Sequence, residues 1–218
     1  NGGVLPMFTS CSPGWIKFTE TFFPQLTPNL STAKSPQQMF GAVAKTFAAK
    51  SLGVPAEKMF VVSIMPCTAK KFECQRPEMS DASHYWHEHG SSNEKYQDVD
   101  MVLTTRELAR LLKMKGVNLA EMPDEEADPL LGRYTGAAPI FGRTGGVMEA
   151  ALRTVLTLLT GEPPKPLEFD ELGTADGIKR GALQIGDKTV KVAVVHGLAN
   201  ARQACESVLS GGEFSHYH

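Results

Sequence analysis

The stretch from Met59 to Glu73 limits what this chain can fold into more than any other. It opens with Met59-Phe60-Val61-Val62-Ser63-Ile64, a run of apolar and β-branched residues that predicts a buried, parallel-type strand. Pro66 ends the ladder because it has no N–H to donate. Cys67 follows at once, and Lys70 and Glu73 come shortly after it. A cysteine just past the carboxyl end of a buried strand lies where open α/β sheets place ligands. By itself such a residue reads either as a buried small side chain or as a soft thiolate ligand.

Strands and helices alternate along the rest of the chain. Val4 to Thr9 is a candidate strand, Trp15, Phe18 and Phe22 have helical spacing, and Pro24, Pro28 and Asn29 mark a loop. Ser35-Pro36 starts a helix, with serine at the cap and proline at the first position. That helix is expected from Pro36 to Leu52, with Met39, Phe40, Val43 and Phe47 as one core-facing stripe and Gly53 at its end. Ser80 to Gln97 is polar and reads as a surface loop, and Val99 to Leu103 as a second buried strand. Thr104 and Glu107 form a capping box that opens a helix to about Lys115.

Asp124 to Pro129 is an acidic, irregular connection. The glycine-rich turn Gly142 to Gly146 opens a helix from Val147 to Leu159, with Met148, Leu152, Val155 and Leu159 inward, and a proline-rich connection follows from Gly161 to Pro166. Ala182 to Ile185 and Val190 to Val195 pair as a hairpin around Gly186-Asp187, and the second of these is apolar enough to be central. Leu198 to Leu209 is the last helix, ended by Gly211-Gly212. The alternation predicts an α/β fold: two lobes of mostly parallel, twisted sheet flanked by helices, with an active-site cleft between them.

Size and charge exclude several classes. A chain of 218 residues can bury a sizeable core. A net charge of −2 gives no electrostatic case for a nucleic-acid or anionic-membrane partner. No apolar run approaches the roughly 18 residues of a membrane span. No signal peptide is visible, and the opening Asn1-Gly2-Gly3 in place of Met predicts a fragment, a processed product or a truncated chain.

Four cysteines (Cys11, Cys67, Cys74 and Cys205), none in a CxxC pair, argue against a disulfide scaffold or a zinc knuckle. Cys74 and Cys205 read as packing residues. His84, His87 and His89 read as a solvated group rather than a metal site, and His196 as a local hydrogen-bonding residue. The reactive groups left are Cys11, in a tight Ser-Cys-Ser-Pro-Gly turn, Cys67, and the N–H groups at the Gly142 to Gly146 turn.

Met65-Pro66-Cys67-Thr68-Ala69-Lys70-Lys71-Phe72-Glu73 matches the second signature of the [FeFe]-hydrogenases, and Thr9-Ser10-Cys11-Ser12-Pro13-Gly14-Trp15 resembles the first. Lys34 to Gln38, Thr104 to Leu108 and Phe141 to Arg153 extend the resemblance over nearly the whole chain. It implies that residues 1–218 are a partial catalytic domain, truncated at both ends. The implied cofactor is a [4Fe–4S] cluster bridged to a di-iron subsite carrying CO, cyanide and an azadithiolate.

The resemblance makes Cys11 the proton-relay thiol, Ser31 a serine on the proton path, and Lys70 a donor to a cyanide ligand. Ser35, Pro36, Gln37, Met65, Pro66 and Phe141 would line the cofactor. Cys67 would ligate the cluster, Ser12 stands where a second cluster cysteine belongs, and Glu73 has a structural role, pairing or capping nearby. The implied reaction is reversible proton reduction to H2 with electrons from ferredoxin or a similar redox partner. Maturation proteins would load the cofactor, and the expected compartment is the cytoplasm of an anaerobe, with periplasm or an organelle as alternatives.

Two departures stand against the pattern. Ser12 offers a hard, weakly acidic hydroxyl in place of a thiolate. The family's third signature, with two further cysteines, has no counterpart here, so of the four cluster cysteines only Cys67 is present. A sensory or degenerate hydrogenase-like protein with little turnover is therefore a rival expectation. An Fe–S assembly or scaffold relative ranks behind it, because Met-Pro-Cys and the following lysine are intact.

Overall fold

The computed structural model describes residues 3–143, 145–161, 177–185 and 188–218. The expected turn at Gly186-Asp187 and the connection after Gly161 lie outside the described residues. The fold is α/β, as expected, and divides into two compact units. One unit comprises Ser10–Lys17 and Thr32–Gly132; the other comprises Asn1–Thr9, Phe18–Ser31 and Arg133–His218.

In the Ser10–Lys17/Thr32–Gly132 unit, β1 (Val62–Met65) pairs in parallel with β2 (Met101–Thr104), Val62 facing Met101 and Met65 facing Thr104. The buried cluster Cys74, Val99 and Val102 lies against this pair, with Val61 and Met65 packed on it. The expected all-round burial of Met59 to Ile64 is not found. Phe60 is 67% exposed, and Val62 and Ile64 are each 42% exposed. With β2 as its one neighbour among the described residues, β1 alternates, turning Val61, Ser63 and Met65 inward and Val62 and Ile64 outward.

The helix expected from Pro36 to Leu52 is continuous, but it carries a π-helical segment. It runs as α2 (Pro36–Val43), the π-turn Ala44–Ala48, and α3 (Ala49–Leu52), ended by Gly53 at φ 64°. Its inner face is the reverse of the expected one. Met39, Phe40, Val43 and Phe47 are 41–55% exposed, while Gln37, Gln38, Gly41, Ala44, Lys45, Ala48 and Ala49 are buried. The inward residues are small or able to hydrogen-bond. A Cβ on Gly41 would come within 2.7 Å of the Asp98 carbonyl oxygen, so the two backbones approach as only glycine permits.

The π-turn carries Lys45 inward, where its ammonium reaches the Gln97 carbonyl at 2.7 Å and Asp100 Oδ1 at 2.8 Å. Asp100 Oδ2 in turn accepts from Val61 N at 2.7 Å, so one buried cation fixes the entry to both strands. A buried ammonium is tolerable only when paired and fully hydrogen-bonded, which these partners achieve.

The segment expected as a surface loop contains α5 (Asp81–Glu88). Its N-terminus is capped from a distance. The Asp98 carboxylate, fully buried, accepts from Asp81 N at 3.0 Å and Ala82 N at 2.8 Å. Trp86 Nε1 donates to the Lys45 carbonyl at 2.7 Å and ties the helix to the π-turn. α4 (Ala69–Glu73) follows β1, and α6 (Thr105–Met114) follows β2 with both halves of the Thr104–Glu107 capping box formed.

In the other unit, the expected strand at Val4 to Thr9 reduces to a single parallel bridge between Phe8 and Leu30 among the described residues. α1 (Pro13–Phe22) ends in this unit. There Phe18, Phe22 and Phe23 surround the Arg202 guanidinium at 5.1–5.5 Å. α7 (Ala137–Phe141) precedes α8 (Gly146–Thr160).

The inward residues of α8 are Gly146, Glu149 and Ala150; Val155 and Leu159, expected inward, are 42% and 64% exposed. Glu149 is held by Arg143 and Arg153, which places the helix's polar residue inside. β3 (Ile178–Ile185) and β4 (Lys188–Val195) form the expected hairpin, antiparallel and longer than its apolar core. β4, expected to be central, has β3 on one side and, at Lys191, the tail residue His218 on the other. α9 (Leu198–Leu209) closes the core through Ala204, packed with Ile178 and Phe214.

Two predictions follow from these packings. Lys45→Met leaves the Asp100 carboxylate without its cation, and unfolding by denaturant should show a loss of about 3 kcal/mol. Glu107 is held down to about 2 from 4.5, first by the Lys71 hydrogen bond and then by the Thr104 N–H and hydroxyl. A depressed carboxyl stabilises the fold above its unfolded pKa. Its contribution should therefore disappear as pH falls from about 4.5 to about 2, and Glu107→Gln should flatten that part of the stability profile.

Candidate functional site

The parallel register carries β1 to Met65, and Pro66 turns the chain out of the sheet, leaving Pro66 and Cys67 exposed. Lys70 N donates to the Cys67 carbonyl at 3.3 Å and starts α4 directly behind the cysteine. Lys70 and Glu73, three residues apart on that short helix, fall on its inner side and are 6% and 5% exposed. The Lys70 ammonium donates to Glu73 Oε1 at 3.1 Å and Oε2 at 3.0 Å, and to the Cys11 carbonyl at 2.5 Å.

The N-terminus of α2 completes this network. Ser35 Oγ accepts from Gln38 N at 3.4 Å as the helix cap and donates to Glu73 Oε2 at 2.9 Å. Gln37 Nε2 reaches Glu73 Oε2 at 3.4 Å and the Lys70 carbonyl at 3.5 Å, while Gln37 Oε1 accepts from Ser63 Oγ at 2.9 Å. An ammonium and a carboxylate are thus buried together with their hydrogen-bonding capacity used, the condition for keeping both charged away from water. Sequence reasoning assigned Glu73 a pairing or capping role and overlooked Ser63. The one signal for Ser63 was a hydroxyl inside an otherwise apolar strand.

Cys11 is exposed, in the turn that enters α1. Ser12 N donates to Ser10 Oγ at 3.1 Å, and the Ser12 carbonyl accepts from Trp15 N at 3.1 Å and Ile16 N at 3.4 Å. Pro13 takes the first helical position, where its missing N–H costs nothing. Cys11, Ser12, Ser35, Pro36, Gln37, Met65, Pro66, Cys67 and Lys70 belong to one unit, whereas Ser31 and Phe141 belong to the other. Met65 packs onto the cluster of Cys74, Val99 and Val102. Cys74 and Cys205 are buried, and burial pushes both thiols up, Cys205 to about 11, so neither is a ready thiolate.

A four-iron cluster is held by four thiolates. Among the described residues, no group of three or more His, Cys, Asp or Glu side chains is arranged to hold a metal ion. The exposed thiols are Cys11 and Cys67, and residue 12 offers a hydroxyl. These residues fit one corner of such a site and do not fit a complete cluster. His84, His87 and His89 lie on or beside α5, and the His89 ring stacks on Tyr85 with centroids 4.1 Å apart.

The family model for the iron-only hydrogenase large subunit, C-terminal domain, matches residues 1–217. The chain is 50% identical over 210 residues to the NADP-reducing hydrogenase subunit HndD of Solidesulfovibrio fructosivorans, covering 96% of this chain and 34% of that protein. It is 45% identical to the periplasmic [Fe] hydrogenase large subunit of Nitratidesulfovibrio vulgaris, covering 98% of this chain and 48% of that one. It is also 32% identical to cytosolic iron-sulfur assembly component 3 of Rattus norvegicus, over 98% of this chain and 44% of the relative.

The solved [FeFe]-hydrogenase HydA1 of Chlamydomonas reinhardtii superposes with a TM-score of 0.73 at 37% identity, covering 96% of this chain and 57% of that structure. The chain therefore spans between about a third and a half of the length of these curated relatives. With nearly every residue matched by one family model, the chain belongs to the C-terminal domain family of the iron-only hydrogenase large subunit.

Proposed function

We propose that this chain is part of the catalytic domain of an [FeFe]-hydrogenase, a protein that reversibly reduces protons to H2 with electrons from ferredoxin or a similar redox partner. The observation that carries the reading is the exposed Cys11 thiol in a turn whose carbonyl is tied to the buried Lys70–Glu73 pair beside Cys67. Cys11 Sγ holds and passes a proton, a role that needs a thiol open to solvent on one side and to the reacting centre on the other. Cys67 Sγ would supply one thiolate to a [4Fe–4S] cluster. Ser35, Pro36, Gln37, Met65, Pro66 and Phe141 line the cofactor's surroundings, and Ser31 stands on the proton path.

The cofactor, when bound, supplies the redox chemistry at iron; its di-iron subsite carries CO, cyanide and an azadithiolate and is loaded by maturation proteins. No helix among the described residues is long and apolar enough to cross a membrane. The compartment we propose is the cytoplasm of an anaerobe; relatives are named both periplasmic and cytosolic.

Ser12 supports a second reading, a hydrogenase-like protein with little turnover. Residue 12 is exposed next to Cys11, and its oxygen is a poor substitute for a soft thiolate on iron. Over nearly the whole chain, the assembly component of Rattus norvegicus is less similar than the hydrogenases of Solidesulfovibrio fructosivorans and Nitratidesulfovibrio vulgaris, at 32% against 50% and 45% identity.

The two readings separate in the full-length protein, as it is and as Ser12→Cys, reconstituted anaerobically and loaded with the di-iron cofactor. H2 evolution and CO/cyanide infrared bands in both forms establish a working hydrogenase that tolerates Ser12. Bands and H2 only after Ser12→Cys establish the low-turnover reading. Neither bands nor H2 in either form overturns the assignment.

A further inference from the structure

Lys70 sends its ammonium to the Cys11 carbonyl, 59 residues away in the chain, although Glu73 alone would neutralise it. Four other side chains converge on that contact. Glu73 grips the ammonium with both carboxylate oxygens. Ser35 and Gln37, from the start of α2, hold one of those oxygens, and Ser63 on β1 holds Gln37. The network is therefore anchored to a helix cap and a strand, two rigid elements, and its free end is the turn that carries Cys11.

We infer that Glu73 is a positioning residue. Through Lys70 it fixes the Cys11 turn in place, so that the relay thiol is presented by the protein's own polar core. This rests on the reading of Cys11 given above, and it assigns to Glu73 a task beyond neutralising Lys70. A charge fixed by two carboxylate oxygens has one preferred direction for its remaining N–H, and here that direction is the Cys11 carbonyl. Without Glu73 the lysine side chain keeps its rotamer freedom and the turn loses its tie.

The test uses the full-length, cluster-free protein, so its outcome is separate from H2 evolution. Two readouts report the turn: alkylation of Cys11 by iodoacetamide at constant pH, and exchange of the Trp15 and Ile16 amides that bond to the Ser12 carbonyl. Alkylation of Cys67 and exchange in α6 serve as internal references.

Glu73→Gln should raise both Cys11-turn readouts by about tenfold, the scale of one lost charge-assisted hydrogen bond, while the references stay within about twofold. Because breaking a buried pair can unfold a protein, the double variant Lys70→Met with Glu73→Leu is the companion. It removes both charges together and should keep the fold. If the pair is only structural, this double variant restores wild-type behaviour at the Cys11 turn, and the inference is overturned. If the pair positions Cys11, the turn stays loosened by about tenfold in a folded protein. Unchanged Cys11-turn readouts in folded Glu73→Gln also overturn it.

Discussion

The structure around the candidate site depends on a charge kept out of water. Burying an ammonium is costly unless its partners replace the hydration it loses, so a buried lysine dictates its surroundings. Lys70 has its partners in Glu73 and the Cys11 carbonyl, and Glu73 has further partners in Ser35 and Gln37. Those partners come from three separate stretches of chain. One requirement for hydrogen bonding therefore draws together the Cys11 turn, the start of α2 and the helix behind Cys67. Lys45, on the helical rod that α2 begins, repeats the device, with Asp100 and the Gln97 carbonyl at the entry to both parallel strands.

Two buried cations explain why α2, the π-turn and α3 present a polar face to the interior. Gln37, Gln38 and Lys45 are inside, and Met39, Phe40, Val43 and Phe47 are outside. A rule that puts apolar residues inward inverts this rod. The π-turn at Ala44–Ala48 adds to the inversion, because it shifts the helical phase after Ala44 and a spacing of 3.6 no longer tracks one face. Gly41, Ala44, Ala48 and Ala49 make the arrangement feasible, since small residues let the backbone come close enough for Gln37 and Lys45 to reach their partners.

What could be read in the sequence was what is encoded locally. The Thr104–Glu107 capping box has both halves within four residues, and the Ser35-Pro36 start has cap and first position side by side; both formed as expected. The β3–β4 hairpin and α9 were also legible, because their apolar patterns are short and continuous. α5 was not, because its N-terminus is capped by Asp98 from beyond its own C-terminus, and no local pattern signals that. The exposed half of β1 was missed for a related reason. A run of apolar residues states that a strand can be buried on both faces, not how many neighbours it has. At the site, the motif residues were named through resemblance, while the contact from Lys70 to Cys11 became visible only in three dimensions.

Ser12 shows how backbone and side chain divide the work at this site. The carbonyl of residue 12 accepts from Trp15 N and Ile16 N, and the residue stands just before Pro13 at the first position of α1. Any residue supplies that carbonyl. The cap-like geometry of the turn therefore does not depend on whether position 12 carries an oxygen or a sulfur, and the Lys70 tie acts one residue earlier, also through a backbone carbonyl. The placement of Cys11 is held by main-chain atoms, and the chemistry at residue 12 is held by its side chain alone. An exchange of sulfur for oxygen there changes the hardness of a ligand while leaving the turn that presents the neighbouring thiol intact.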